Sequence, residues 1–258
     1  MTSRRFWSQR TRVAVGVVTM FLGPAADTLV SSGPAFAAVN CHAAPAPDVN
    51  LRGCSLVGAD FAGSNLTGAK LLHANLTGAD LAGANLSGAR FAGATISSVN
   101  LAGANLSGAN LIHTNVSDTD LTNADLVKAH LTGTNLSGAT LTDANVLRAN
   151  LNGADLKGAN LTGAKLVDSN FVAADLAGAN FSGAHLEGAH LIRSNLDAAN
   201  LTDATLYKAN LSDANLTHAN FSDATLVHAH LGGATLSGVT WTGAACPDGL
   251  LAGSSGCQ

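Results

Sequence analysis

The sequence predicts an all-β fold, a β-solenoid that winds one short unit many times over, and three observations carry this prediction. Every fifth residue from Leu51 to Trp241 is apolar, 39 in succession, and 30 of them are Leu. Two positions before each stands a small side chain, Ala in 29 of the 39 units. Two positions after each, Gly occurs 21 times, with Asn123, Asp143, Asp203, Asp213 and Asp223 among the replacements. An α-helix advances about 500° in five residues, so the Leu positions would wander around its whole circumference. A continuous strand alternates sides at each step, so a period of five would send successive Leu to opposite faces. Only a chain that bends once per unit keeps them together. The small residue and the Leu lie two apart on a short extended segment and point inward. The intervening residue, usually Asn or Asp, points out. The next two turn the corner, where Gly, Asn and Asp tolerate positive φ. So regular an apolar column is the opposite of a disordered, weakly hydrophobic composition.

The elements follow in chain order. Residues 1–37 read as a secretory signal peptide: Arg4, Arg5, Arg10 and Arg12 form a basic start, Val13 to Leu22 an apolar run, and Ala35-Phe36-Ala37 a small-x-small cleavage site. The apolar run is too short to span a bilayer. Ser3-Arg4-Arg5 fits the twin-arginine export route as well as the general one. Ala38-Val39-Asn40 before Cys41 departs from a lipoprotein box, so the mature chain is expected to be secreted or extracytoplasmic, starting at Ala38, without a membrane anchor. Residues 38–48, with Pro45 and Pro47, read as an N-terminal cap, 49–243 as the solenoid and 244–258 as a C-terminal cap.

Units such as Ala79-Asp80-Leu81-Ala82-Gly83 and Ala159-Asn160-Leu161-Thr162-Gly163 resemble the A-(D/N)-L-x-x unit of the pentapeptide-repeat family, without insertion over 195 of the 258 residues. The resemblance implies a right-handed quadrilateral β-helix of four units per coil. The repeats would then make about ten coils and a rod roughly 45 Å long. Its interior, filled by Leu, Phe and Ala, has no room for a cofactor. One elongated repeat domain accounts for the length, because each coil needs only its neighbours.

All four cysteines lie at the ends of such a rod, Cys41 and Cys54 at one and Cys246 and Cys257 at the other. An even number in an exported chain reads as disulfides. Of the three pairings, only Cys41 with Cys54 and Cys246 with Cys257 avoids joining the two ends, far beyond the ~7 Å Cα limit. Solenoid ends expose unpaired edges and the open apolar column, so they need covering. Trp241, the largest residue of that column, is expected to plug the C-terminal end. The spacing lacks the C-x-x-C signature of a zinc site.

Without residues 1–37 the chain has nine Lys and Arg against sixteen Asp and Glu, a net charge of −7. No basic cluster points to nucleic acid. The acidity is similar to that of the gyrase-protecting, quinolone-resistance branch of the family, which resembles duplex DNA. Here, however, the acids read as scattered along the chain, no loop interrupts the repeat, and Ala244 to Gln258 carries Cys in place of a helical dimerisation segment.

Residues 20 apart, read as vertical neighbours, sort the outside into columns. Val127, Leu147, Val167, Glu187, Tyr207 and Val227 form one, flanked by Lys128, Arg148, Asp168, Lys208 and His228. The repeat itself does not require apolar residues there, and a row of them edged by charge marks a partner or self-association surface. Leu72, Ile112, Val172 and Ile192 make a sparser stripe on the neighbouring face. Thr122, Thr142, Thr162, Ser182, Thr202, Ser222 and Thr242, beside a column rich in Asn, form a hydroxyl and amide lattice. Such a lattice suits a regular surface such as ice or polysaccharide, but equally an ordinary exposed strand. The His residues fall at outward positions, and His228 with His230 lacks a third metal ligand. A convex rod offers no water-excluding pocket, so no catalytic residue is assigned. The expected function is an exported, non-enzymatic binding or structural surface; the alternative is a DNA-mimicking modulator of a type II topoisomerase.

Overall fold

The computed structural model describes residues 39–252 and 256–257; the segment 1–37, read above as an export signal, lies outside them. Each outward strand residue bridges, in parallel, the residue 20 further on: Asn50 with Lys70, Ser55 with Asn75, Asp60 with Asp80, Asn65 with Asn85, and so on to Thr225 with Ala245. A five-residue unit that comes into register after 20 residues gives a coil with four sides. We number the sides by these columns: face I starts at Asn50, face II at Ser55, face III at Asp60 and face IV at Asn65. Faces I and III are half a coil apart and therefore opposite, as are II and IV.

The unit 159–163 shows why the sequence closes this way. Ala159 N–H donates to Leu156 O across the corner at 3.0 Å, Asn160 N–H to Ala139 O of the preceding coil at 2.9 Å, and Leu161 N–H to Asn180 O of the next at 2.7 Å. Gly163 N–H donates to Ser182 O at 3.0 Å. The remaining donor, Thr162 N–H, goes to the side chain of Asn160 at 3.2 Å. Every N–H of the unit is thus satisfied, as a backbone wound this tightly requires. The last bond, a side-chain oxygen accepting from the N–H two residues on, is what Asn and Asp supply best and explains their dominance at the outward position.

All 39 corner residues, two after each apolar position, have positive φ, from 51° at His113 to 74° at Gly233. The conformation is thus imposed by the winding, and 18 non-Gly residues accept it. Inside, Leu and Ala are almost wholly buried through the middle coils, for instance Leu136, Leu161 and Ala159 at 0% exposure. Six units place Thr or Ser in the small inward column; Ser64, near the N-terminal end, is half-buried, and Thr114, Thr119, Thr134, Ser169 and Ser194 are buried. The five buried hydroxyls donate to backbone carbonyls, Thr134 to Leu111 O at 2.6 Å and Ser169 to Val146 O at 2.7 Å among them. A buried hydroxyl with a partner costs little; without one it would be expensive.

The periodic geometry runs one unit further at each end than the apolar column does. Ala46 stands in the Leu position, Asp48 is a corner with φ 56°, and Asp48 N–H reaches Thr67 O at 2.7 Å. At the other end Leu226 N–H reaches Ala245 O and His228 N–H reaches Pro247 O, so Cys246 takes the Leu position. The chain then leaves the coil in a small antiparallel turn, Ala245 facing Leu251. Cys41 and Cys54 lie with Cα atoms 5.5 Å apart, and Cys246 and Cys257 5.1 Å apart, each pair with its sulfurs at bonding distance. Trp241 stacks on Phe221, centroids 5.0 Å apart, but does not seal the end as expected. Leu231, Leu236 and Trp241 itself remain partly exposed, because a single indole covers only its own side of a four-sided opening.

Candidate binding surfaces

Face IV brings the apolar row together. Val127, Leu147, Val167 and Val227 are half-buried, whereas Tyr207 is 40% exposed. Glu187 interrupts the row, held by Thr205 Oγ1 donating to it at 2.7 Å and by His185 Nδ1 at 3.5 Å. Around Tyr207 the structure assembles a compact cluster. The Lys208 ammonium sits 5.0 Å from the ring centroid, a cation–π arrangement, and His228 meets the ring edge-on at 5.5 Å. The flanking charges are less free than the sequence implies. Arg148 pairs with Asp168 at 3.5 Å, which leaves Lys128 and Lys208 without an ion-pair partner among the described residues. Sequence reasoning missed Val57, which at 54% is more exposed than any valine of the row; it stands on face II among Thr and Ser, where column reading gave no signal.

The hydroxyl lattice of face III is engaged with itself. Thr162 Oγ1 donates to Asn160 Oδ1 at 2.7 Å and accepts from Asn180 Nδ2 at 2.9 Å; Thr202 repeats both bonds with Asn200 and Asn220. Asn200 also reaches Asn180 at 3.0 Å. These groups brace the coils against one another, which favours the ordinary structural reading of the column.

Face II carries the strongest ion cluster. Lys157 Nζ lies 2.8 Å from Asp175 and 3.6 Å from Asp155. Its bond to Asp175 and the charge of Asp155 hold the Lys157 pKa above the ordinary lysine range. Burial pushes the Asp175 carboxyl up, but bonds from Lys157, the Ala177 N–H and Asn195 outweigh it and leave the pKa below the usual value. Among the described residues no group of three His, Cys, Asp or Glu is placed to hold a metal ion.

The family described as Pentapeptide repeats (8 copies) matches residues 48–81, 74–111, 104–143 and 134–171, and the Pentapeptide repeat region matches 164–241. Among solved structures the chain is similar to HetL, a pentapeptide repeat protein involved in heterocyst differentiation regulation from the cyanobacterium Nostoc. Identity is 34% over 80% of this chain and 92% of that one, with a TM-score of 0.46. QnrB1, a plasmid-mediated fluoroquinolone resistance protein, matches at 22% identity over 74% of this chain and 89% of its own, TM-score 0.40. A pentapeptide repeat protein of the Arabidopsis thaliana thylakoid lumen matches at 30% over 42% and 68%, TM-score 0.26. None of the curated proteins matches. The matched residues run through nearly the whole apolar column, and the chain belongs to the pentapeptide-repeat family.

Proposed function

We propose that the protein is an exported, non-enzymatic member of its family that works as a rigid extended binding surface, with face IV as the contact. In this reading the chain is a right-handed rod of about ten coils, closed at each end by a local disulfide. Export is supported by the basic start, the apolar run and the Ala35-Phe36-Ala37 site, and by two cysteine pairs at bonding distance, which suit an oxidising compartment. N-terminal sequencing of secreted material should begin at Ala38; mature cytoplasmic protein retaining Met1 would sink the export reading.

The observation that carries the binding reading is Tyr207, exposed and backed by Lys208 and His228, in line with Val127, Leu147, Val167 and Val227. Covering this row would recover at most about 1 kcal/mol for each half-buried Val or Leu and roughly 2 kcal/mol for Tyr207, at about 25 cal/mol per Å². Lys128 and Lys208 beside it favour an acidic partner and salt-sensitive binding. Leu147→Lys with Tyr207→Ser should leave the melting temperature nearly unchanged and abolish capture of a partner from the extracellular fraction. Capture that survives the double variant places the contact elsewhere.

The second reading, a DNA-mimicking modulator of a type II topoisomerase, is favoured by one observation: face III holds six Asp and no Lys or Arg. It requires the protein to reach cytoplasmic gyrase and to displace DNA from it. A supercoiling assay in which added protein neither inhibits gyrase nor relieves quinolone poisoning would dispose of it.

A further inference from the structure

The outward strand position has one structural duty, to offer an oxygen to the N–H two residues on, and neutral Asn performs it. Two opposite faces depart from Asn toward charge at the same height. On face III the position is Asp at 60, 80 and 120, whose carboxylates accept from Ala62, Ala82 and Thr122 N–H at 3.1, 3.0 and 2.9 Å. Asp60 and Asp80 are direct bridge partners, so two like charges are stacked at a cost that Asn would avoid. Asp143, Asp203 and Asp223 line the adjoining corners. On face I, Lys70 and Arg90 take the position and are likewise stacked as bridge partners. Arg52 lies beside them, Arg193 stands further along, and Asp213 is the only carboxylate of that face. Read linearly the acids look scattered; wound into coils they do not.

None of these four bases or six carboxylates forms an ion pair among the described residues. Beside them stand Ala62, Ala82 and Ala102 on face III and Leu72, Ala92 and Ile112 on face I, with His73 and His113 at the corners of face I lying over Gly93 and Gly133.

We propose that the protein associates side by side with copies of itself, face III of one against face I of the next, in parallel register. Residues 70 and 90 lie half a coil beyond 60 and 80, about 2.4 Å along the axis. A neighbour standing in the same direction therefore sets Asp60 and Asp80 against Arg52, Lys70 and Arg90, and brings Asp203 near the level of Arg193. A reversed neighbour would instead set Asp60 and Asp80 against the part of face I around Asp213, where Arg193, one coil away, is the single base in place of three. Complementary charge thus selects orientation and register. Because the two contact faces are different and opposite, each added copy presents a fresh face, so the association extends in rows and does not close as a dimer.

Sedimentation of the purified chain tests this at about 0.1 M salt, where the Debye length of about 10 Å damps the repulsion between net-negative copies but spares close pairs, and at about 1 M, where it is about 3 Å. Species larger than a dimer should form at the lower salt and return to monomer at the higher. The triple variant Asp60→Asn, Asp80→Asn, Asp120→Asn keeps every structural bond and should stay monomeric at both. The double variant Lys70→Asn, Arg90→Asn should do the same. Mixed together, the two variants retain one intact face each and should give one-to-one complexes and nothing larger. Leu147→Lys with Tyr207→Ser, which tests face IV, should leave the rows intact, so the two surfaces fail or stand separately. A monomeric wild type at the lower salt, rows that persist at 1 M, or unaltered rows from either Asn variant with an unchanged circular dichroism melt would overturn the proposal.

Discussion

The two ends of the solenoid are built from the same unit and yet differ. At the N-terminal end the first apolar residues, Leu51, Leu56 and Phe61, are only 1%, 4% and 8% exposed. The preceding segment is pinned there by the Cys41–Cys54 link and the Asp48–Thr67 backbone bond. At the C-terminal end Leu231, Leu236 and Trp241 are half-buried, and among the described residues no backbone acceptor meets the N–H groups of Leu231, Gly233, Leu236, Gly238, Trp241 or Gly243. The chain turns away at Cys246–Gly249, and among the described residues of the tail Gly256 lies against Trp241. A solenoid core is thus protected by its neighbours in the middle and by whatever crosses its mouth at the ends. Repetition supplies the first and cannot supply the second.

That contrast can be broken most severely from within. Leu136→Asp, placing an unpaired charge among residues of 0% exposure, should cost several kcal/mol in urea unfolding. The same change at half-buried Leu236 should cost less than half as much, and Ser137→Asp, facing water, should stay within about 0.5 kcal/mol of the parent. Equal losses at 136 and 236 would mean the C-terminal mouth is closed in solution.

Disulfide removal comes next. Each closes a short loop, with sequence separations of 13 and 11, for which loop closure is worth up to about 3 kcal/mol. Cys41→Ser with Cys54→Ser should be the more damaging pair, since it uncovers Leu51, Leu56 and Phe61. Amide exchange should then accelerate at the Leu56 and Phe61 N–H groups first and leave those near Leu136 unchanged. A smaller effect is expected from Gly256→Ala. Its φ is 77°, and an added Cβ would sit 2.5 Å from Trp241 Cδ1, so the tail must lift off the indole. About 1–2 kcal/mol should be lost, with Trp241 fluorescence shifted to the red; an unmoved spectrum would mean the tail does not rest there.

The smallest effect is electrostatic and lies away from both ends. Asp175 has a depressed pKa in the folded state, so its contribution is present above the ordinary carboxylate range and is lost as pH falls through the folded value. Lys157, raised, loses its own contribution only as pH climbs past the ordinary lysine range. The melting temperature of Lys157→Ala should therefore fall slightly below the parent's at neutral pH and converge with it once the pH drops below the depressed folded-state value of Asp175. A difference that persists in acid would assign the loss to packing of the lysine stem.

Much of this was legible before any coordinates. The inward columns, the outward Asn and the corner at each Gly or Asp all follow from phase within a five-residue unit, and each appears where expected. The cysteine pairing follows instead from the place of the four residues at the two ends, where each pair lies at bonding distance. The buried hydroxyls of Thr114 and Ser169 were legible only as small residues, since their acceptors lie 23 residues back in the preceding coil. The row on face IV was legible as a column, but the pairing of Arg148 with Asp168 and the placing of Lys208 and His228 about Tyr207 depend on side-chain directions that a column does not give.

By itself the sequence determined which side chains point in and which point out, because that choice is local: a residue's phase in the unit decides it, whatever the coils around it do. Only the tertiary structure decided what becomes of the outward residues and the ends. Stacking at 20 residues brings Asp60 onto Asp80 and Lys70 onto Arg90, and sets those pairs on opposite faces. The final coil has no successor to cover it, so its closure depends on where a non-repetitive tail can reach, a matter of chain geometry that no periodic pattern encodes.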